Sequence, residues 1–131
     1  MMDCKAMATP MALNLKLLSD ASSETVDVTM YCQMIGSLVY LTNTRPDIFF
    51  AMNTLSQYLT NLRHVHLTTA KHILRYLKGT VDYGLKYKTD QRSNLEGYVD
   101  LDWESSAIYR KSTSGCCFSM GLGMISWFRR K

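Results

Sequence analysis

The apolar positions divide this chain into a helical stretch followed by a stranded one. From Val28 onward, Val28, Tyr31, Cys32, Ile35, Leu38 and Val39 recur three and four residues apart, which predicts a helix ending before Thr44-Arg45-Pro46. Asp27 stands where its carboxylate can accept from the free amides of the first turn. Pro46 opens a second predicted helix at its first turn, where a missing N–H costs nothing, and Asp47 suits the positive end of that helix. Its apolar stripe is Ile48, Met52, Leu55 and Leu59. A third helix is predicted from about His66 to Lys78, with Leu67, Ala70, Ile73, Leu74 and Leu77 on the buried face and Gly79 just past the end. Beyond Gly79 the period shortens to two. Strands are expected at Tyr83–Lys88, Leu95–Asp100, Gly115–Met120 and Met124–Phe128, with Gly121-Leu122-Gly123 turning the last two into a hairpin.

Residues before Val28 carry no clear period, and Pro10 and the Ser-Asp-Ala-Ser-Ser stretch read as loop. The expected organisation is an irregular segment over residues 1–27, a three-helix region over 28–80 and a strand region over 81–131. The fold class is therefore α+β: three helices followed by a small antiparallel sheet. A hydrophobic content of 47% over 131 residues is that of a globular chain able to bury a core. The net charge of +4 permits contact with nucleic acid without requiring it.

Cys4, Cys32, Cys116 and Cys117 form no CxxC pair, which argues against a zinc knuckle or a disulfide framework and predicts reduced, buried thiols. No apolar run is long enough to span a membrane. The first residues have an early lysine and an Ala/Leu-rich middle, but Asp3, Pro10, Asn14 and Lys16 interrupt the apolar core that a secretory leader needs.

Four groups of residues carry candidate chemistry. Asp100 and Asp102 stand two apart at a strand end, so alternation puts both carboxylates on one face, as a divalent cation site would require. A two-metal hydrolytic site needs more carboxylates than this. Glu104 is the last acidic residue, and the stretch after it holds Arg110, Lys111, Arg129, Arg130 and Lys131. The pair therefore reads as a vestigial site or a solvated strand end. Lys71, Arg75 and Lys78 form a basic stripe on the third helix, suited either to phosphates or to plain solvation. His64 and His66 make an HxH without companion ligands, so helix entry is expected rather than metal binding. Tyr31, Tyr40 and Tyr58 at helical spacing, and Trp103 and Trp127 in the strand half, read as packing residues. No glycine-rich phosphate cradle occurs, no cofactor is implied, and Ser112, Thr113 and Ser114 resemble a turn cluster.

Taken together, the segments DCKAMATPM, YCQMIGSLVYLTNTRPDIFFAMNTLSQY, HLTTAKHILRYLKGTVDYGLKY, GYVDLDW, RKSTSGCCFSMG and GMISW, in this order, resemble the C-terminal part of the copia-type retrotransposon polyprotein. The resemblance runs from Asp3 to Lys131. It implies that residues 3–80 correspond to thumb-like helices after a reverse transcriptase palm, and that residues from about 95 onward correspond to the first strands of an RNase H fold. It places Asp100 where that family's first catalytic aspartate is expected and sets the Lys71, Arg75, Lys78 stripe near nucleic acid. It also marks departures. The polymerase aspartates lie upstream in the family and the remaining RNase H carboxylates downstream, while Glu104-Ser105 replaces the usual Ala-Gly after the tryptophan. Neither active site is expected to assemble, so no enzymatic activity is expected.

The whole chain is also similar to short copia-derived chains known as secreted RxLR-type effectors of oomycete plant pathogens, which enter host cells and damp immune cell death. That likeness implies a host plant protein as partner and the host cytoplasm or nucleus as location. The alternative is an intracellular nucleic-acid-binding remnant. Arg75-Tyr76-Leu77-Lys78 is an RxLK variant of the effector motif, but it falls inside the third predicted helix.

Overall fold

A computed structural model describes residues 4–12, 17, 27–59, 61–88, 94–102, 113–121 and 123–130. The chain separates into two compact units, Met1–Gly84 and Leu85–Lys131. The first holds helices α1 (Val28–Leu41), α2 (Phe49–Ser56) and α3 (His64–Gly79), with a 3₁₀ turn at Pro46–Ile48 leading into α2. The second holds strands β1 (Leu95–Asp102), β2 (Thr113–Met120) and β3 (Gly123–Arg130). This is an α+β chain.

Local chemistry accounts for the helix boundaries. Asp27 caps α1, its carboxylate accepting from the Met30 amide at 3.0 Å. Pro46 sits at the start of the 3₁₀ turn, as its fixed φ favours. The apolar stripes of α1, α2 and α3 meet in one core of Tyr31, Ile35, Leu38, Ile48, Ala51, Met52, Leu55, Leu67, Ala70, Ile73 and Tyr76. Each large aliphatic side chain buried this way contributes about 1.5–3 kcal/mol. The core is narrower than the spacing predicts. Val28, Cys32 and Val39 face outward on α1, Tyr40 is 80% exposed, and Leu59 lies beyond α2 and is exposed. A helix packed on one side buries a single stripe, and these residues lie at its margins. All four cysteines are free, with Cys32 exposed rather than buried and the others partly so.

Gly79 does not follow α3 but closes it, with Thr80 as the cap. A Cβ at Gly79 would come within 2.9 Å of the Ala6 Cβ, so the glycine admits the N-terminal segment at this point.

Tyr31 is fully buried and its hydroxyl finds no hydrogen-bond partner among the described residues. Burial, reinforced by the neighbouring Cys32 thiol, pushes its phenol up to about 12 from 10.0. A raised value means the neutral phenol supports the fold below the unfolded value, and that support is lost as pH climbs through the folded one. Tyr31→Phe keeps the ring and removes the unpaired donor. It is expected to raise stability by about 1 kcal/mol and to flatten the alkaline loss of stability between pH 10.0 and about 12. Urea titrations of both proteins across that range check this, and a less stable Tyr31→Phe chain would mean the hydroxyl does find a partner.

The sheet is an antiparallel meander in the order β1-β2-β3. Its register aligns Val99 with Cys116 and Cys116 with Phe128 on one face, and Asp100 with Gly115 and Gly115 with Arg129 on the other. A bulge at Phe118/Ser119 shifts the β2–β3 register. Gly121, at φ 61, makes the hairpin turn that a side chain would disfavour. Phe118 lies over Gly97, where a Cβ would meet its ring at 3.0 Å, and stacks on Phe128 with centroids 6.4 Å apart. The predicted strand at Tyr83–Lys88 is absent, and those residues run as irregular chain. Tyr87 is instead turned onto the start of β3, where its hydroxyl donates to the Met124 carbonyl at 2.6 Å.

Candidate functional site

The basic stripe lies on α3 as its spacing requires, with Lys71 and Lys78 exposed and Arg75 half-buried. Two of the three cations already have acceptors. Arg75 Nε donates to the Lys5 carbonyl at 2.6 Å, and Lys78 Nζ donates to the Cys4 carbonyl at 2.9 Å. His72, one residue beyond Lys71, faces the Thr9 carbonyl through Nε2 at 2.9 Å. A carbonyl oxygen only accepts, so that ring nitrogen carries the proton. The Met7 amide in turn donates to the Arg75 carbonyl at 3.3 Å. Residues 4–12, which sequence pattern leaves as loop, are thus strapped along the α3 stripe, with Met7 and Met11 packed against the core. The tetrapeptide Arg75-Tyr76-Leu77-Lys78 is helical throughout, with Tyr76 buried and Leu77 partly buried.

At the C-terminal end of α3 the structure builds a polar node that spacing did not reveal. Arg45 is only 7% exposed. The residue before a proline is pushed toward extended backbone, and Arg45 at φ −126 and ψ 80 projects its guanidinium inward. It forks onto Asp47, Nε to Oδ1 at 3.0 Å and Nη2 to Oδ2 at 2.8 Å, and also donates to the Thr80 carbonyl at 2.9 Å and the Thr80 hydroxyl at 2.7 Å. The Tyr76 hydroxyl donates to Asp47 Oδ2 at 2.7 Å. The Arg45 hydrogen bond holds the Asp47 carboxyl below the usual carboxylate range, against the opposing effect of burial. Burial, and then the bond to Asp47, raise the Tyr76 phenol. Asp47, expected only to complement the helix dipole, ties the α1–α2 connection to the end of α3. The available sequence signal was an arginine and an aspartate flanking a proline.

The two aspartates stand on β1, Asp100 opposite Gly115 and Asp102 opposite Thr113. Asp100 is exposed, and the Asp102 side chain lies outside the described portion. Glu96 shares the face of Asp100 and accepts from the Tyr98 hydroxyl at 2.8 Å. Among the described residues, no three His, Cys, Asp or Glu side chains converge as metal ligands. Trp103, Glu104, Ser105, Arg110, Lys111, Ser112 and Lys131 lie outside the described residues. Trp127 is half-buried on β3 in register with Cys117. The HxH pair diverges: His66 is buried, whereas His64 opens α3 only partly buried, its Nδ1 3.5 Å from the Thr68 hydroxyl.

Over all 131 residues the chain is 39% identical to the retrovirus-related Pol polyprotein from transposon RE2 of Arabidopsis thaliana, of which it covers 9%. It is 35% identical over the same length to an uncharacterized mitochondrial protein of that plant, of which it covers 54%. Over 102 residues, 77% of its length, it is 37% identical to secreted RxLR effector protein 161 of Plasmopara viticola, of which it covers 72%. The chain is homologous to part of the retrovirus-related Pol polyproteins of transposons, which supports a retrotransposon origin. It spans about half of the mitochondrial relative and a small part of the polyprotein. No family model and no solved structure matches it. No helix among the described residues of this Pol-related chain is long and apolar enough to cross a membrane.

Proposed function

We propose that this Pol-related chain is a non-catalytic interaction protein, carrying the junction between the thumb of a copia-type reverse transcriptase and the first strands of its RNase H domain. The observation that carries the reading is the sheet. Leu95, Val99 and Phe128 are 63%, 70% and 47% exposed on one face, and β1 and β3 are both edge strands among the described residues. A three-stranded sheet with apolar side chains in water and unpaired edges gains by taking a partner. The position of Asp100 on β1 and the meander order support the RNase H assignment.

The relative named as a secreted RxLR effector supports an effector role for this chain, for which the setting is the host plant cell, the partner a host protein and the outcome suppression of immune cell death. Expression of the full chain in leaf together with a cell-death inducer is expected to reduce death, with Val99→Asp weakening the effect by adding a charge to the apolar face. The purified chain is expected to leave an RNA–DNA hybrid intact in magnesium. Undiminished death would remove the effector role, and cleavage lost in Asp100→Asn would overturn the non-catalytic reading.

A second reading, a nucleic-acid-binding remnant, is favoured by the single observation that Lys71, Arg75 and Lys78 do lie on α3 with Lys71 and Lys78 exposed.

A further inference from the structure

Resting on that second reading, we propose that residues 4–12 are an intramolecular cover over a polyanion-binding face of α3, and that a nucleic-acid duplex displaces them. The cover engages the stripe through its backbone oxygens. The carbonyls of Cys4, Lys5 and Thr9 meet Lys78, Arg75 and His72 at 2.9, 2.6 and 2.9 Å. These acceptors are neutral. A phosphate oxygen gives Arg75 and Lys78 a formal opposite charge in place of a carbonyl dipole, and contact with it releases counterions from the duplex. Lys71 stands exposed one turn before Arg75, so a duplex backbone gains a further cation on replacing the cover.

The cover is also built to be reversible. The bonds from His72, Arg75 and Lys78 to the cover are solvent-exposed, and the bond from the Met7 amide to the Arg75 carbonyl is long at 3.3 Å, while Met7 and Met11 tether the segment to the core. Bonds of this kind open at low free-energy cost compared with the core. Gly79 makes the fit possible, because a Cβ there would meet the Ala6 Cβ at 2.9 Å. Gly79→Ala therefore pushes the cover away while leaving every cation in place, and alanine suits the last turn of a helix. Met7→Pro opens it by a different route, removing the amide that donates to Arg75.

The test compares the full chain with full-length Gly79→Ala and Met7→Pro for binding to a short mixed-sequence DNA duplex, with amide exchange at position 7 followed in the original and Gly79→Ala chains. If the cover competes with the duplex, both variants bind about three- to tenfold more tightly, because apparent affinity scales with the open fraction. The gain vanishes when Lys71, Arg75 and Lys78 are alanine, and adding duplex to the original chain speeds exchange at the Met7 amide. Equal binding by all three chains would leave the basic face standing and overturn the cover. An absence of salt-dependent binding in every chain would overturn both the face and its cover.

Discussion

Arg45→Ala is expected to cost about 3 kcal/mol of stability, near the lower end for breaking a buried ion pair. The lower end applies because the partners differ in burial: the Arg45 side chain is 9% exposed and the Asp47 side chain 33%, so the abandoned carboxylate regains some water. The substitution also strips the Thr80 carbonyl and hydroxyl of their guanidinium donors. What remains at Asp47 among these contacts is the Tyr76 hydroxyl. Arg45→Lys is expected to recover only part of the loss, since an ammonium is a point charge and cannot fork onto both carboxylate oxygens while reaching Thr80. The pH dependence follows from the lowered Asp47 pKa. A depressed folded value gives stability that is present above the unfolded carboxylate range and is lost as pH falls through the folded value. The original chain therefore weakens on acidification more than Arg45→Ala does. Urea unfolding at neutral and acid pH measures both effects. A neutral-pH loss below about 1 kcal/mol would place the node at the level of a surface pair.

That node shows where sequence reasoning stops. Helices α1 to α3 were legible because a one-sided helix must repeat its apolar residues near every third or fourth position, and Asp27 marks the first start. The hairpin at Gly121 was legible because its backbone favours glycine. An arginine gives no sign of its direction, and Arg45 points inward only because Pro46 restricts its backbone and Thr80 offers two acceptors. Alternation at Tyr83–Lys88 predicted a strand, but alternation describes faces and cannot supply a neighbour to pair with. The α3 stripe was legible as spacing. Its cover was not, because Cys4, Lys5 and Thr9 act through backbone carbonyls, which every residue possesses. Tyr40 and Leu59 failed for the opposite reason: their type suggests burial, while Tyr40 lies off the buried stripe of α1 and Leu59 lies past the end of α2.

The HxH motif is expected to split sharply when each histidine is replaced. His66→Ala should cost about 3 kcal/mol, combining two lost hydrogen bonds with the cavity left by a buried ring, whereas His64→Ala should cost under about 0.5 kcal/mol. His66 is 1% exposed. Its Nδ1 accepts from the Arg63 amide at 3.0 Å, in the manner of a capping box, so α3 begins two residues earlier than the apolar pattern suggests. With Nδ1 accepting, the ring proton sits on Nε2, which donates to the Leu17 carbonyl at 3.1 Å. Tyr58 stacks on the ring with centroids 4.4 Å apart and planes 20° off parallel. Both ring nitrogens are thus occupied in holding the N-terminal side of the chain and the start of α3 to the core. A metal would have to break one of these bonds and would find His64 only partly buried, beside the Thr68 hydroxyl. Zinc should therefore leave the thermal midpoint of the original chain unchanged, and the two alanine variants should differ in midpoint by several degrees. Equal losses from the two substitutions, or a midpoint raised by zinc, would return the pair to the status of a ligand site.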